Sequence, residues 1–191
     1  MNGNTFEQFG LSAPRAELLR NRVVSVIGPI NMASATRAIE ELLFLDSQDP
    51  GKPITMYLMG PGGEISPGLA VVDTCKRISS EVATVATGAC CSMSAVLAIC
   101  CAKPGGNRYI TPLAELMLHQ PLVGGLQGQA SDIERASLHM LKTKQTLERL
   151  LSEASGLSIA KVRELCDRDT WLDAEQSKAL GLMDEILEYR D

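Results

Sequence analysis

The sequence predicts an α/β fold built on a largely parallel sheet covered on both faces. Two observations carry this. Short, continuous, β-branched apolar runs alternate with longer stretches of helical period, the pattern of buried parallel strands joined by crossover helices. The first three runs also stop at glycine, where the chain can turn. The 191 residues are 45% hydrophobic and 21% charged, enough apolar material for one sizeable core.

Residues 1–20 are polar and mixed, and read as an arm ending in a short helix near Ala16–Arg20. The domain proper takes 21–191. Arg22–Ile27 (RVVSVI) is the first strand, closed by Gly28-Pro29. Ser34–Asp46 places Ala38, Ile39, Leu42, Leu43 and Leu45 on the apolar side of an amphipathic helix. Ile54–Met59 (ITMYLM) is a second strand that runs into Gly60-Pro61-Gly62-Gly63, and a helix follows over about Pro67–Ile78. Val82–Thr87 is a third strand ending at Gly88, and Cys91–Cys101 reads as a buried helix. Arg108–Thr111 and Leu116–Leu118 are short strands. Ser131 with Glu134 has the spacing of a capping box, opening a long helix to Ser155 that Gly156 stops. Ser158 caps a short helix, Ala174–Ala179 forms the last, and Leu182–Leu187 closes as a strand.

Composition excludes several classes. A net charge of -5 with no Lys/Arg cluster gives no reason to expect nucleic-acid binding. The longest apolar stretch, Ala95–Ala102, is too short to span a bilayer, and no apolar run follows a basic start as in a secretory signal. A soluble, cytoplasmic protein is expected. Six cysteines include two vicinal pairs, Cys90-Cys91 and Cys100-Cys101, a poor disulfide framework. With two histidines and no C-x-x-C, a zinc site is not expected. The cysteines read as small buried residues in a reducing compartment.

Five segments hold chemistry-bearing residues. Ser92 sits in GACCSMSA (88–95), a strand, a tight turn and an apolar helix. There it is either an N-cap or a nucleophile whose developing anion faces free N–H groups. The G-x-S-x-G elbow is absent, which removes support for an α/β-hydrolase. Gly62-Gly63 allows close backbone approach and suits an oxyanion, whereas no G-K-[ST] follows to make a phosphate loop. His119 ends a strand, and is a better general base than His139 in the long helix. Ser158 and Lys161 have the spacing of a Ser–Lys dyad but read better as a helix cap. For the acid that orients a catalytic imidazole, Asp167 and Asp169 in DRDTW are the candidates, and the residues alone do not choose between them or against other carboxylates.

Together these segments resemble the proteolytic subunits of the Clp protease family. The resemblance rests on GACCSMSA (88–95), MLHQP (117–121), LLFLDSQDP (42–50), PGG (61–63), GLQGQASDIE (125–134) and DRDTWLDAEQSKALGLMDEIL (167–187), in that family's order, over about residues 22–188. It implies a crotonase-like α/β spiral of β-β-α units with a protruding handle at about 122–156. It further implies a serine endopeptidase with Ser92 as nucleophile, His119 as base and Asp169 as orienting acid. The N–H groups of Gly63 and Met93 would form the oxyanion hole. Gly62, Gly124, Gly125 and Leu126 would lie along the substrate backbone, and Asp167 and Arg168 would couple assembly to the site.

The implied partners are copies of itself in two stacked heptameric rings or paralogous subunits, an AAA+ Clp unfoldase, and unfolded polypeptides. No cofactor is implied in this subunit, since ATP is used by the partner ATPase. Departures from the family pattern are Gly60 for a usual Ser, Cys90-Cys91 for Ala-Ala, Ser94 for Gly, one extra residue near Val123, and residues 1–20. Two other readings are a scaffolding subunit of a mixed ring and an acyl-CoA enzyme of the same superfold.

Overall fold

The computed structural model describes residues 12–105, 107–122, 124 and 127–189. Its elements run α1 (Ala13–Arg20), β1 (Val23–Ile27), α2 (Met32–Gln48), β2 (Ile54–Gly60), α3 (Ile65–Arg77), β3 (Val82–Cys91) and α4 (Met93–Cys100). There follow β4 (Arg108–Ile110), β5 (Glu115–Leu118), α5 (Ala130–Ser155), α6 (Ile159–Cys166), β6 (Thr170–Leu172), α7 (Ala174–Ala179) and β7 (Glu185–Ile186). The order along the sheet is β1-β2-β3-β4-β7, with β5 joined to β3 and β6 to β5. Every pairing is parallel except β5 with β6. The α/β expectation holds, and most elements fall where the sequence places them.

The differences have local causes. The long helix begins at Ala130 with Gln129 at its N-cap, so Ser131 is already inside the first turn and makes no capping bond. Capping boxes lie instead at α2, where Asn31 Oδ1 accepts the Ser34 N–H at 2.9 Å and Ser34 Oγ accepts the Asn31 N–H at 3.0 Å, and at α7, where Asp173 Oδ1 accepts the Gln176 N–H at 2.8 Å and Gln176 Oε1 accepts the Asp173 N–H at 3.0 Å. Gly156, with φ of 76°, stops α5 as predicted.

The third strand passes through Gly88 to Cys91. Gly88 has φ of 55°, and the β2–β3 register shifts between Leu58 and Gly60. The strand therefore bends. Its first half pairs with β4 through Thr84–Ala86 and its second half with β5 through Ala89–Cys91. One strand thus turns the sheet through two neighbours, and the bend carries the following residue to the edge of the core.

At the centre of the core lies α4, every residue of which is buried. Leu42, Ile54, Met56, Leu58, Ile110 and Leu116 are completely buried around it. Two arginines are buried with partners. The Arg22 guanidinium donates to the carbonyls of Leu45, Lys52 and Pro53 and to Ser80 Oγ. Arg108 pairs with Asp184 and donates to the Ala154 carbonyl at 2.8 Å, tying β4 to β7 and to the end of α5. By contrast, Ile133, Leu138 and Leu141 on the first half of α5 are exposed, and its buried residues are Leu147, Glu148 and Leu151. Among the described residues no helix is long and apolar enough to cross a membrane.

Candidate active site

Strand pairing assembles the site. Cys91 of β3 is registered with Met117 of the parallel β5, so Ser92 and His119 emerge at the same carboxyl end of the sheet. On the other side of β5, the antiparallel β6 pairs Thr170 with Leu118. The next step along that ladder sets Asp169 opposite His119. Three residues distant in sequence are thereby delivered to one edge by register alone.

Ser92 has φ of 53° and ψ of -123°, a backbone conformation favourable to glycine and costing other residues about 1–3 kcal/mol. Its surroundings hold it there. The Ser92 N–H donates to the Met117 carbonyl at 2.7 Å, and its own carbonyl accepts the Val96 N–H at 3.1 Å. Gly62 packs so closely that a Cβ on it would lie 2.6 Å from the Ser92 Cβ. The hydroxyl makes no helix-capping bond. It lies instead 2.7 Å from His119 Nε2. Ser92 stands at the N-cap position of α4, but its side chain does not cap the helix.

The His119 side chain is 16% exposed, while that of Asp169 is 69% exposed with its Oδ1 3.9 Å from Nδ1. The carboxylate faces the ring but stands outside hydrogen-bond reach. An exposed contact of this length is readily tightened or lost. The segment carrying Asp169 is tied from the side: Gln120 Nε2 donates to the Asp167 carbonyl at 3.4 Å, and Lys144 Nζ of α5 donates to Gln120 Oε1 at 2.9 Å. Asp167 and Arg168 are exposed, and neither enters an ion pair with another described residue.

Gly63 forms a parallel bridge with Ile30, in which the Ile30 N–H donates to the Gly62 carbonyl and the Glu64 N–H donates to the Ile30 carbonyl. The Gly63 N–H accordingly points away from Ile30. Gly63 and Met93 line the same cleft as Ser92 and His119. Gly60, one of the departures noted above, meets a packing demand: with φ of 158°, a Cβ there would lie 2.2 Å from the Gly28 carbonyl oxygen. Gly124 is exposed, with nothing within 4 Å of where a Cβ would stand; Gly125, Leu126, Val123 and the first eleven residues lie outside the described ones.

The competing groups are otherwise engaged. Ser158 Oγ accepts the Lys161 N–H at 3.2 Å as a helix cap, and Lys161 Nζ donates to Glu164 at 2.6 Å, so no Ser–Lys dyad forms. His139 is exposed along α5. All six cysteines are buried and free. Burial, then the Glu115 charge, pushes the Cys91 thiol up. Burial pushes Cys90 and Cys100 up to about 12 and Cys166 to about 11. These thiols stay protonated near neutrality.

The cleft beside this pair has a volume of about 590 Å³. Met93, Val96, Leu118, Met140, Leu147 and Leu151 give it apolar walls. The Clp protease family model matches residues 10–190 of the chain. The chain belongs to the Clp protease family. Membership makes it a protease of the Clp type, a family whose members oligomerise and associate with Clp ATPases in general. Sequence reasoning missed Gln120, Lys144 and Glu148 as parts of this cleft. The available signal was a charged pair at i and i+4, Lys144 and Glu148, set into the stripe of Met140, Leu147 and Leu151.

Proposed function

We propose that this chain is the proteolytic subunit of an ATP-dependent Clp protease, a serine endopeptidase acting on unfolded polypeptides inside a barrel of stacked rings. Ser92 attacks the peptide carbonyl, His119 takes the hydroxyl proton and returns it to the leaving amine, and water then hydrolyses the acyl-enzyme. Asp169 orients the imidazole. The N–H groups of Gly63 and Met93 bind the anionic oxygen. Gly62, with the 124–126 stretch, lies along the substrate backbone as an added strand would. An AAA+ unfoldase spends ATP to feed the chamber, and the subunit itself needs no cofactor.

The observation that carries this reading is the 2.7 Å contact between Ser92 Oγ and His119 Nε2 on a strained turn at the open end of the sheet. Backbone strain in a serine that does not cap its helix is characteristic of functional sites. The 3.9 Å gap to an exposed Asp169 supports one refinement. Assembly, acting through Asp167 and Arg168, brings that carboxylate onto the ring, so the isolated chain is less active than the assembled one.

The test is labelling of the purified, assembled protein with a fluorophosphonate, followed by peptide hydrolysis. The expected result is a single adduct on Ser92, with turnover falling roughly 10⁴-fold or more in Ser92→Ala. Absence of an adduct on Ser92 in the assembled particle would instead mark a scaffolding subunit.

A further inference from the structure

The cleft beside Ser92 holds a carboxylate that the proposed chemistry does not use. Glu148, on the buried side of α5, has a side chain only 5% exposed. Its Oε2 accepts the Arg163 Nε–H at 2.9 Å. Its Oε1 is buried and has no hydrogen-bond partner among the described residues. An ionised carboxylate has acceptor sites on both oxygens, and leaving one unmatched in an apolar surround is costly. The group stands in the wall of the cleft, on the same lining as Ser92, His119 and Met93.

The neighbouring charges do not satisfy it. The Arg163 guanidinium approaches the other oxygen from a half-exposed position. Lys144, one turn earlier on α5, donates its amine to Gln120. Cys166 faces Glu148 as a protonated thiol that burial and this carboxylate together hold up. Glu64 and His119 complete the titratable lining. The remaining wall of Met93, Val96, Leu118, Leu147 and Leu151 is apolar. A cleft with apolar walls and one unmatched buried acceptor suits a side chain with an aliphatic stem and a cationic tip.

We infer that Glu148 makes this cleft a recognition pocket for a basic substrate residue, lysine or arginine, flanking the scissile bond. This rests on the peptidase reading above. The stem of the substrate side chain lies along the methionine and leucine wall, and its ammonium or guanidinium donates to Glu148 Oε1. Arg163 positions the carboxylate from behind.

The experiment uses the assembled protein and two fluorogenic peptide series, each varied at one residue flanking the cleaved bond through Arg, Lys, Leu and Glu. The expected result is a kcat/KM for Arg or Lys at one flank at least about tenfold above Leu. Glu148→Gln lowers that Arg-to-Leu ratio by about tenfold or more, and Glu148→Asp restores part of it. Preference for Leu or Glu at both flanks, or a ratio unchanged by Glu148→Gln, would overturn the inference. Binding of peptides ending in Arg or Leu amide to Ser92→Ala, read by calorimetry, separates the two proposals. If no peptide is cleaved and Ser92 takes no label, the peptidase reading fails, while equal binding of the two amides defeats the Glu148 inference on its own.

Discussion

Two serines two positions apart meet opposite fates. Ser92 takes a backbone conformation that costs energy and delivers its hydroxyl to His119. Ser94, fully buried one half-turn on, finds no partner for its hydroxyl among the described residues. A buried hydroxyl left unmatched costs about 1–3 kcal/mol, and Ala fits the same space without it. Ser94→Ala is therefore expected to stabilise the fold by roughly 1 kcal/mol. That corresponds to a rise of about 2–4 °C in the thermal midpoint, measurable by calorimetry. A fall in the midpoint would mean that the hydroxyl has a bonded partner after all. Gly62 shows the opposite constraint, since any side chain there would strike Ser92.

Among the elements, the contact between the end of α2 and the α3–β3 turn is pH-dependent. Asp46 near the end of α2 accepts the Ser80 N–H at 2.8 Å. Partial burial acts to raise its pKa, but hydrogen bonds from Ser80 and Ser79 and the Arg22 charge outweigh it and hold the carboxyl below its ordinary 3.8. A depressed folded pKa gives stability that is present above the unfolded value and is lost as pH falls through the folded one. Unfolding measured from pH 6 down to pH 2 should thus show a steeper acid loss in the wild type than in Asp46→Asn; equal slopes would refute the contact's role.

At this scale the sequence was most legible. Apolar runs and glycine stops marked β1, β2, α2, α4 and α7 within a few residues. Two elements escaped for physical reasons. Gly88 reads as a strand end because glycine usually breaks pairing, yet here its left-handed φ bends β3 and lets it continue. The three residues of β6 are too few to show a period, and only their register with β5 separates Asp169 from Asp167 as the residue facing His119. Ser131 and Glu134 had the spacing of a cap, but the helix started two residues earlier than that spacing requires. Ser92 and His119 were legible as types on strand ends, whereas their 2.7 Å meeting depended on long-range pairing.

For the whole molecule, the first half of α5 is the outlier. Leu138 is 59% exposed and Leu141 56%, on a helix whose second half is packed into the core. Apolar residues repeated on a projecting helix need a partner surface. In the proposed barrel, this handle meets its counterpart on the opposite ring. Leu138→Glu with Leu141→Glu is expected to lower the native mass while leaving the circular dichroism of the protomer intact. An unchanged mass would place the assembly contact elsewhere.

The clamp around Arg108 bears on how the chain is made. Its guanidinium is nearly sealed from water, yet the carboxylate that neutralises it lies 76 positions downstream. Until the ribosome has released that later segment, β4 would have to bury a naked cation. The nascent polypeptide therefore gains by holding this strand open, so that the sheet closes at β4 only after the segment bearing Asp184 has been made.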